Sequence, residues 1–179
     1  SHPRINRDVA LGDIFVAPEF REFRAERAEL ERTDGAVLQE DLCKKILEDD
    51  SRSVVFGIEQ SGKTTFAKYL VGWLRQKSVV PVYVDAGLLK STNKGEIRGW
   101  YKSAIESQFS ADAVEKVLES PPKEIVVILD NAQTVRGGDE GVREVLNFVS
   151  SKSSRVLILT ADNPALSVLS VGTGDDPYW

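Results

Sequence analysis

Gly57-Ile58-Glu59-Gln60-Ser61-Gly62-Lys63-Thr64 decides how this chain is read. It fits G-x-x-x-x-G-K-[ST] at every fixed position, and at ordinary residue frequencies such a match arises by chance in under about 1% of chains this long. A short β-branched run, Ser53-Val54-Val55-Phe56, leads in. From Lys63 to Lys77 the chain reads as a helix, with Phe66, Tyr69, Leu70, Trp73 and Leu74 at i, i+3, i+4, i+7 and i+8. A buried strand entering and an amphipathic helix leaving are the setting in which the pattern carries chemistry. Without side chains at Gly57 and Gly62 the backbone can curl round an anion, so that successive N–H groups and the helix N-terminus point at phosphate. Residues Gly57, Ile58, Glu59, Gln60, Ser61, Gly62, Lys63, Thr64 and Thr65 are therefore the expected polyphosphate cradle. Lys63 is expected to reach the β- and γ-phosphates and Thr64 to ligate Mg2+. Thr65 either contacts the α-phosphate or serves only as a hydroxyl in the first helical turn.

Working outward, apolar runs recur at Val79–Val84, Ile125–Leu129 and Val156–Leu159, separated by helical stretches near 96–119 and 140–151. This βα alternation predicts an α/β fold, a three-layer αβα sandwich with at least four mainly parallel strands. In such a sheet ligands sit beyond the C-terminal strand ends. Glu124-Ile125-Val126-Val127-Ile128-Leu129-Asp130 ends on a carboxylate there, which makes Asp130 the candidate acid that holds Mg2+ through water.

These pieces together resemble P-loop NTPases, with residues 57–64 as Walker A and Asp130 as the Walker B acid. Within that superfamily the chain is similar to the STAND (NACHT/AP-ATPase-like) branch of bacterial regulatory ATPases. The resemblance rests on Ile14-Phe15-Val16-Ala17-Pro18, Phe56 through Thr65, Val80-Pro81-Val82-Tyr83-Val84-Asp85, the strand ending at Asp130, and Arg155-Val156-Leu157-Ile158-Leu159-Thr160. It implies a Mg·ATP-dependent switch in signalling or defence, working with other domains of a longer chain, with protein partners or as a homo-oligomer. It also implies that the 156–159 strand lies between the P-loop and Walker B strands. Two departures stand out. After Asp130 the run is Asn131-Ala132-Gln133-Thr134, where similar proteins carry acids that polarise the attacking water. Gln133 can orient a water but cannot take its proton, so slow hydrolysis is expected. Where the family often places an arginine, this chain has Thr160-Ala161-Asp162-Asn163, with Thr160 or Asn163 as candidate γ-phosphate sensors.

The base is expected to be adenine, because Asn93-Lys94-Gly95-Glu96 is not an N-K-x-D guanine reader and precedes Asp130. Two alternatives remain: a nucleotide-binding module without catalysis, favoured by Gln133, and a small-molecule kinase using Asp85.

Composition narrows the rest. With 179 residues the chain suits one globular domain, burying roughly 70% of its unfolded surface. Cys43 alone cannot form an internal disulfide, and His2 is the sole imidazole, which leaves almost no material for Ser-His-Asp or His-rich metal chemistry. Cys43 is expected to be buried and inert. The net charge of −5 argues against a nucleic-acid footprint of bulk basic charge. No apolar stretch approaches the ~18 residues of a membrane span, so a reducing, cytoplasmic setting and no membrane partner are expected. Ser1-His2 without a Met reads as the start of a piece of a longer protein. The expected division is 1–50, an extended segment and helical lead-in, and 51–179, the nucleotide-binding core. The lead-in is read as helices over 19–32 and 36–49 with a break at Thr33-Asp34-Gly35. Trp100-Tyr101 is expected to pack beneath the sheet, 172–177 to be a loop or frayed end, and Tyr178-Trp179 to be a terminal aromatic pair.

Overall fold

The computed structural model describes residues 20–26, 29–37, 39–48, 50 and 52–161. The segment 14–18, Asp162, Asn163, the 172–177 tail and Tyr178-Trp179 lie outside them. The first departure from expectation is at 19–32. Instead of a helix, strands β1 (Phe20–Glu26) and β2 (Glu29–Val37) form an antiparallel pair. Thr33-Asp34-Gly35, expected to break a helix, lies within β2. The reason is an ambiguity of period. Phe20, Phe23, Arg27 and Leu30 are spaced by three and four, which suits a helix, but the partner that makes 20–26 a strand is the neighbouring segment 29–37, with the register irregularity falling in β2 between Arg32 and Ala36. The lead-in is therefore a β-hairpin followed by one helix, α1 (Gln39–Glu48). That helix carries Glu40 and Asp41 in its first turn and Lys45 in its last, in line with its dipole.

From residue 52 the strands fall where the apolar runs lie: β3 (Arg52–Phe56), β4 (Val80–Asp85), β5 (Ile125–Asp130) and β6 (Arg155–Thr160). All four are parallel, in the order β3-β6-β5-β4. Thus β6 lies between β3 and β5, as the resemblance implies. Between the strands run α2 (Lys63–Leu74), α3 (Lys94–Gln108), α4 (Ala111–Glu119) and α5 (Gly138–Lys152). The single helical stretch expected near 96–119 is two helices. Phe109 and Ser110 are extended, and Ser110-Ala111-Asp112 restarts the helix with an N-cap residue and an acid in the first turn.

Helices cover both faces of the sheet. Val126, Ile128, Leu157 and Leu159 pack against Cys43 and Ile46 of α1 and Phe66, Leu70 and Leu74 of α2. On the other face Val82, Val84, Val127, Leu129, Val156 and Ile158 pack against Ile97, Trp100 and Ile105 of α3, Val117 of α4 and Val145 and Val149 of α5. Every residue of β5 is buried, which explains an apolar run without polar alternation. At about 1.5–3 kcal/mol per buried aliphatic side chain, these two layers fix the strand ends that carry the polar groups below. Cys43 is buried as expected, and its thiol is pushed up to about 11 by desolvation first and then by Glu40. Among the described residues no helix is long and apolar enough to cross a membrane.

Trp100 and Tyr101 belong to the core, as expected. The Tyr101 ring meets Phe148 edge-on at 5.5 Å, but among the described residues its buried hydroxyl has no partner. Burial pushes this phenol up to about 12. A buried hydroxyl without a partner costs about 1–3 kcal/mol. Tyr101→Phe keeps the ring contact and is expected to raise the unfolding free energy by about 1 kcal/mol, measured by urea denaturation; a loss of that size would mean that the hydroxyl is bonded after all.

Candidate functional site

Because all four strands run parallel, Gly57, Asp85, Asp130 and Thr160 arrive at the same end of the sheet. The loop leaving β3 is tied at its start, where the Gly57 N–H donates to the Thr160 carbonyl at 3.3 Å. It then turns tightly, the Ser61 N–H donating to the Ile58 carbonyl at 3.3 Å. Gln60 (φ 62°) and Gly62 (φ 89°) adopt left-handed conformations, which is the reason for glycine at 62. At 57 the reason is space: a Cβ there would stand 3.1 Å from Ser61 Oγ.

The loop delivers the chain into α2 without a side-chain cap at Gly62 and without an acid in the first turn, which holds Lys63 instead. The first helical bond is from the Phe66 N–H to the Gly62 carbonyl at 2.9 Å. Among the described residues no protein oxygen accepts from the amides of Glu59, Gln60, Gly62, Lys63, Thr64 or Thr65. By contrast α3 begins with Asn93 accepting from the Glu96 N–H at 2.9 Å, the helix start expected at 93–96. An uncapped start with a cation beside it forgoes about 0.5–2 kcal/mol of capping and opposes the helix dipole, both of which an anion would reverse.

Lys63 folds back over this turn. Its Nζ donates to the Gly57 carbonyl at 2.6 Å, the Ile58 carbonyl at 2.8 Å and Ser61 Oγ at 3.2 Å. The ammonium is thereby held at the mouth of the loop. Ile58 is 81% exposed, and Glu59, Gln60, Ser61 and Thr65 are also exposed, so the outer wall of the loop faces solvent.

Asp130 is only 1% exposed and carries three donors. Thr64 Oγ1 donates to Oδ2 at 2.7 Å, the Tyr83 hydroxyl donates to the same oxygen at 2.8 Å, and the Asn131 N–H donates to Oδ1 at 2.9 Å. Thr64 and Asp130 are thus brought together from positions 66 residues apart. With its proton given to Asp130, the Thr64 oxygen keeps its lone pairs for another acceptor role. Among the described residues Asp130 has no salt-bridge partner, and no three His, Cys, Asp or Glu residues cluster as a metal cage. One buried carboxylate plus one hydroxyl fits Mg2+, which keeps several waters and takes its remaining ligands from phosphates.

Asp85 stands beside Asp130 in register, but its Oδ1 accepts from the Gly87 N–H and from Asn131 Nδ2, both at 2.9 Å. It caps the short 3-10 turn Ala86–Leu88 and joins the ends of β4 and β5. Gln133 sits in the 3-10 turn Ala132–Thr134 that follows β5, where its Oε1 accepts from the Ala161 N–H at 3.1 Å. That oxygen is the atom a water-orienting glutamine uses, and here it ties the turn to the end of β6. Thr160 is fully buried, and its carbonyl anchors the P-loop candidate.

Tyr83 was absent from the expected site. Its signal was present in the register: β4 pairs with β5 so that Tyr83 lies opposite Ile128, on the face that leads to Asp130. Burial first, then the hydrogen bond to Asp130 and the charges of Asp130 and Asp85, push its phenol well above the usual tyrosine range. No protein-family model matches this chain, and no curated protein matches its sequence.

Proposed function

We propose that this chain is a Mg·ATP-binding P-loop NTPase domain with the three-layer fold of that superfamily, acting as a slow regulatory switch of the STAND type. The observation that carries the reading is the pairing of two features at one strand end. One is a loop whose amides at 59, 60 and 62–65 have no protein acceptor among the described residues. The other is the Thr64–Asp130 bond of 2.7 Å directly behind it. In this reading the amides and Lys63 bind the triphosphate, and Thr64 with Asp130 holds Mg2+. The metal supplies charge neutralisation of the phosphates and their leaving oxygen. The chain's own residues orient the nucleotide and exclude bulk water from Asp130.

Hydrolysis is slow because no acid follows Asp130 and the Gln133 carbonyl is already engaged. The same engagement favours a second reading, a nucleotide-binding module that does no chemistry. Other domains or protein partners in the cytoplasm would then read the occupied state. Calorimetric titration with ATP, ADP and adenosine, each with and without Mg2+, tests the proposal alongside a phosphate-release assay. ATP is expected to bind at least tenfold more tightly with Mg2+ than without it, adenosine to bind weakly, and turnover to stay below about 1 s⁻¹, under the common enzyme range. Equal affinity for ATP and adenosine would overturn the reading; ATP binding with zero turnover would select the module.

A further inference from the structure

Tyr83 has no role in the motif chemistry above, yet its hydroxyl is the second donor on the carboxylate oxygen that Thr64 uses. Its backbone is also gripped. β4 is at the end of the four-stranded sheet, where an edge strand would leave main-chain groups unpaired. Gln108, at the C-terminus of α3, fills that place. Its Oε1 accepts from the Tyr83 N–H at 3.0 Å, while its Nε2 donates to the Tyr83 carbonyl at 2.7 Å and to the Ala104 carbonyl at 2.7 Å. One side-chain amide thus pairs with both main-chain groups of Tyr83, as a neighbouring strand would. The ring is therefore fixed at its root and at its tip.

Two hydroxyls on Oδ2 and one amide on Oδ1 define a single orientation of the Asp130 carboxylate. Only Tyr83 among the three belongs to neither the P-loop helix nor the residue next to Asp130. We propose that Tyr83 is a positioning residue for the cation site, holding Asp130 in the orientation that takes the Thr64 proton and leaves the Thr64 oxygen open to a divalent cation. This rests on the ATP-binding reading above. The hydroxyl touches neither nucleotide nor metal; it acts through Asp130.

Tyr83→Phe removes that one donor, with Tyr101→Phe as a control whose lost hydroxyl has no partner among the described residues. In calorimetric titrations with ATP, Tyr83→Phe is expected to match wild type without Mg2+ and to lose roughly 3- to 10-fold of the gain that Mg2+ brings. Tyr101→Phe is expected to retain the full gain. A Mg2+ gain in Tyr83→Phe equal to or larger than that of wild type would overturn the proposal. A wild type with no ATP binding would overturn the reading beneath it and this proposal with it, whereas ATP binding with an unchanged Mg2+ gain in Tyr83→Phe overturns this proposal alone.

Discussion

Lys63→Ala is expected to weaken ATP binding by roughly 10- to 100-fold while leaving adenosine affinity unchanged. The range follows from the loss of charge-assisted hydrogen bonds worth about 1.5–3 kcal/mol. The ammonium already stands at the loop, where its three N–H groups donate to Gly57, Ile58 and Ser61, so binding exchanges at least one of these bonds for a phosphate oxygen without moving the charge far. Alanine also leaves the two carbonyls to water, which a half-exposed loop permits without loss of fold. Arginine is not expected to rescue the variant, because a planar fork cannot occupy the position where three acceptors surround a compact ammonium. Calorimetry with both ligands checks this, and equal weakening of ATP and adenosine would place Lys63 outside the phosphate site.

Asp130→Asn is expected to erase the gain in ATP affinity that Mg2+ brings, a loss of roughly tenfold or more, while metal-free ATP binding persists. Both neighbours on Oδ2 are hydroxyls, from Thr64 and Tyr83, and a hydroxyl can donate or accept. They can adapt to an amide, so the fold is expected to hold to within about 1 kcal/mol. The negative charge has no such substitute. A cation that keeps its waters is held chiefly by charge and by the oxygen count around it, and both fall at this position. Titration of Mg2+ into the ATP-loaded variant checks the result; an unchanged metal affinity would mean that Asp130 is only a buried structural acid.

The two central strands of the core were legible in the sequence because both their faces are covered. Ile125–Asp130 is buried at every position, so it shows as an unbroken apolar run up to its final carboxylate, and Val156–Leu159 of the next strand reads in the same way. The loop was legible because Gly62 answers a local backbone demand, a left-handed conformation that few other residues adopt, and Gly57 leaves room beside Ser61. The hairpin over 20–37 was not, because Phe20, Phe23, Arg27 and Leu30 have the spacing of a helix, and the antiparallel pairing of 20–26 with 29–37 is not written into that spacing. Tyr83 and Gln108 were missed for a different reason. Their roles depend on which strand lies at the edge and on the β4–β5 register, and neither is written into local periodicity. Gln133 shows the intermediate case: its place after Asp130 was readable, but the bond to Ala161 that occupies its carbonyl arises only once β6 is set beside β5.

A backbone amide NMR titration with ATP in the absence of metal tests the anion-binding loop residue by residue. The largest shifts are expected on the amides of Glu59, Gln60, Gly62, Lys63, Thr64 and Thr65, with Ser61, already bonded to Ile58, moving less. Saturating ATP that leaves those amides in place, or moves only residues elsewhere in the sheet, would contradict the phosphate role of the loop.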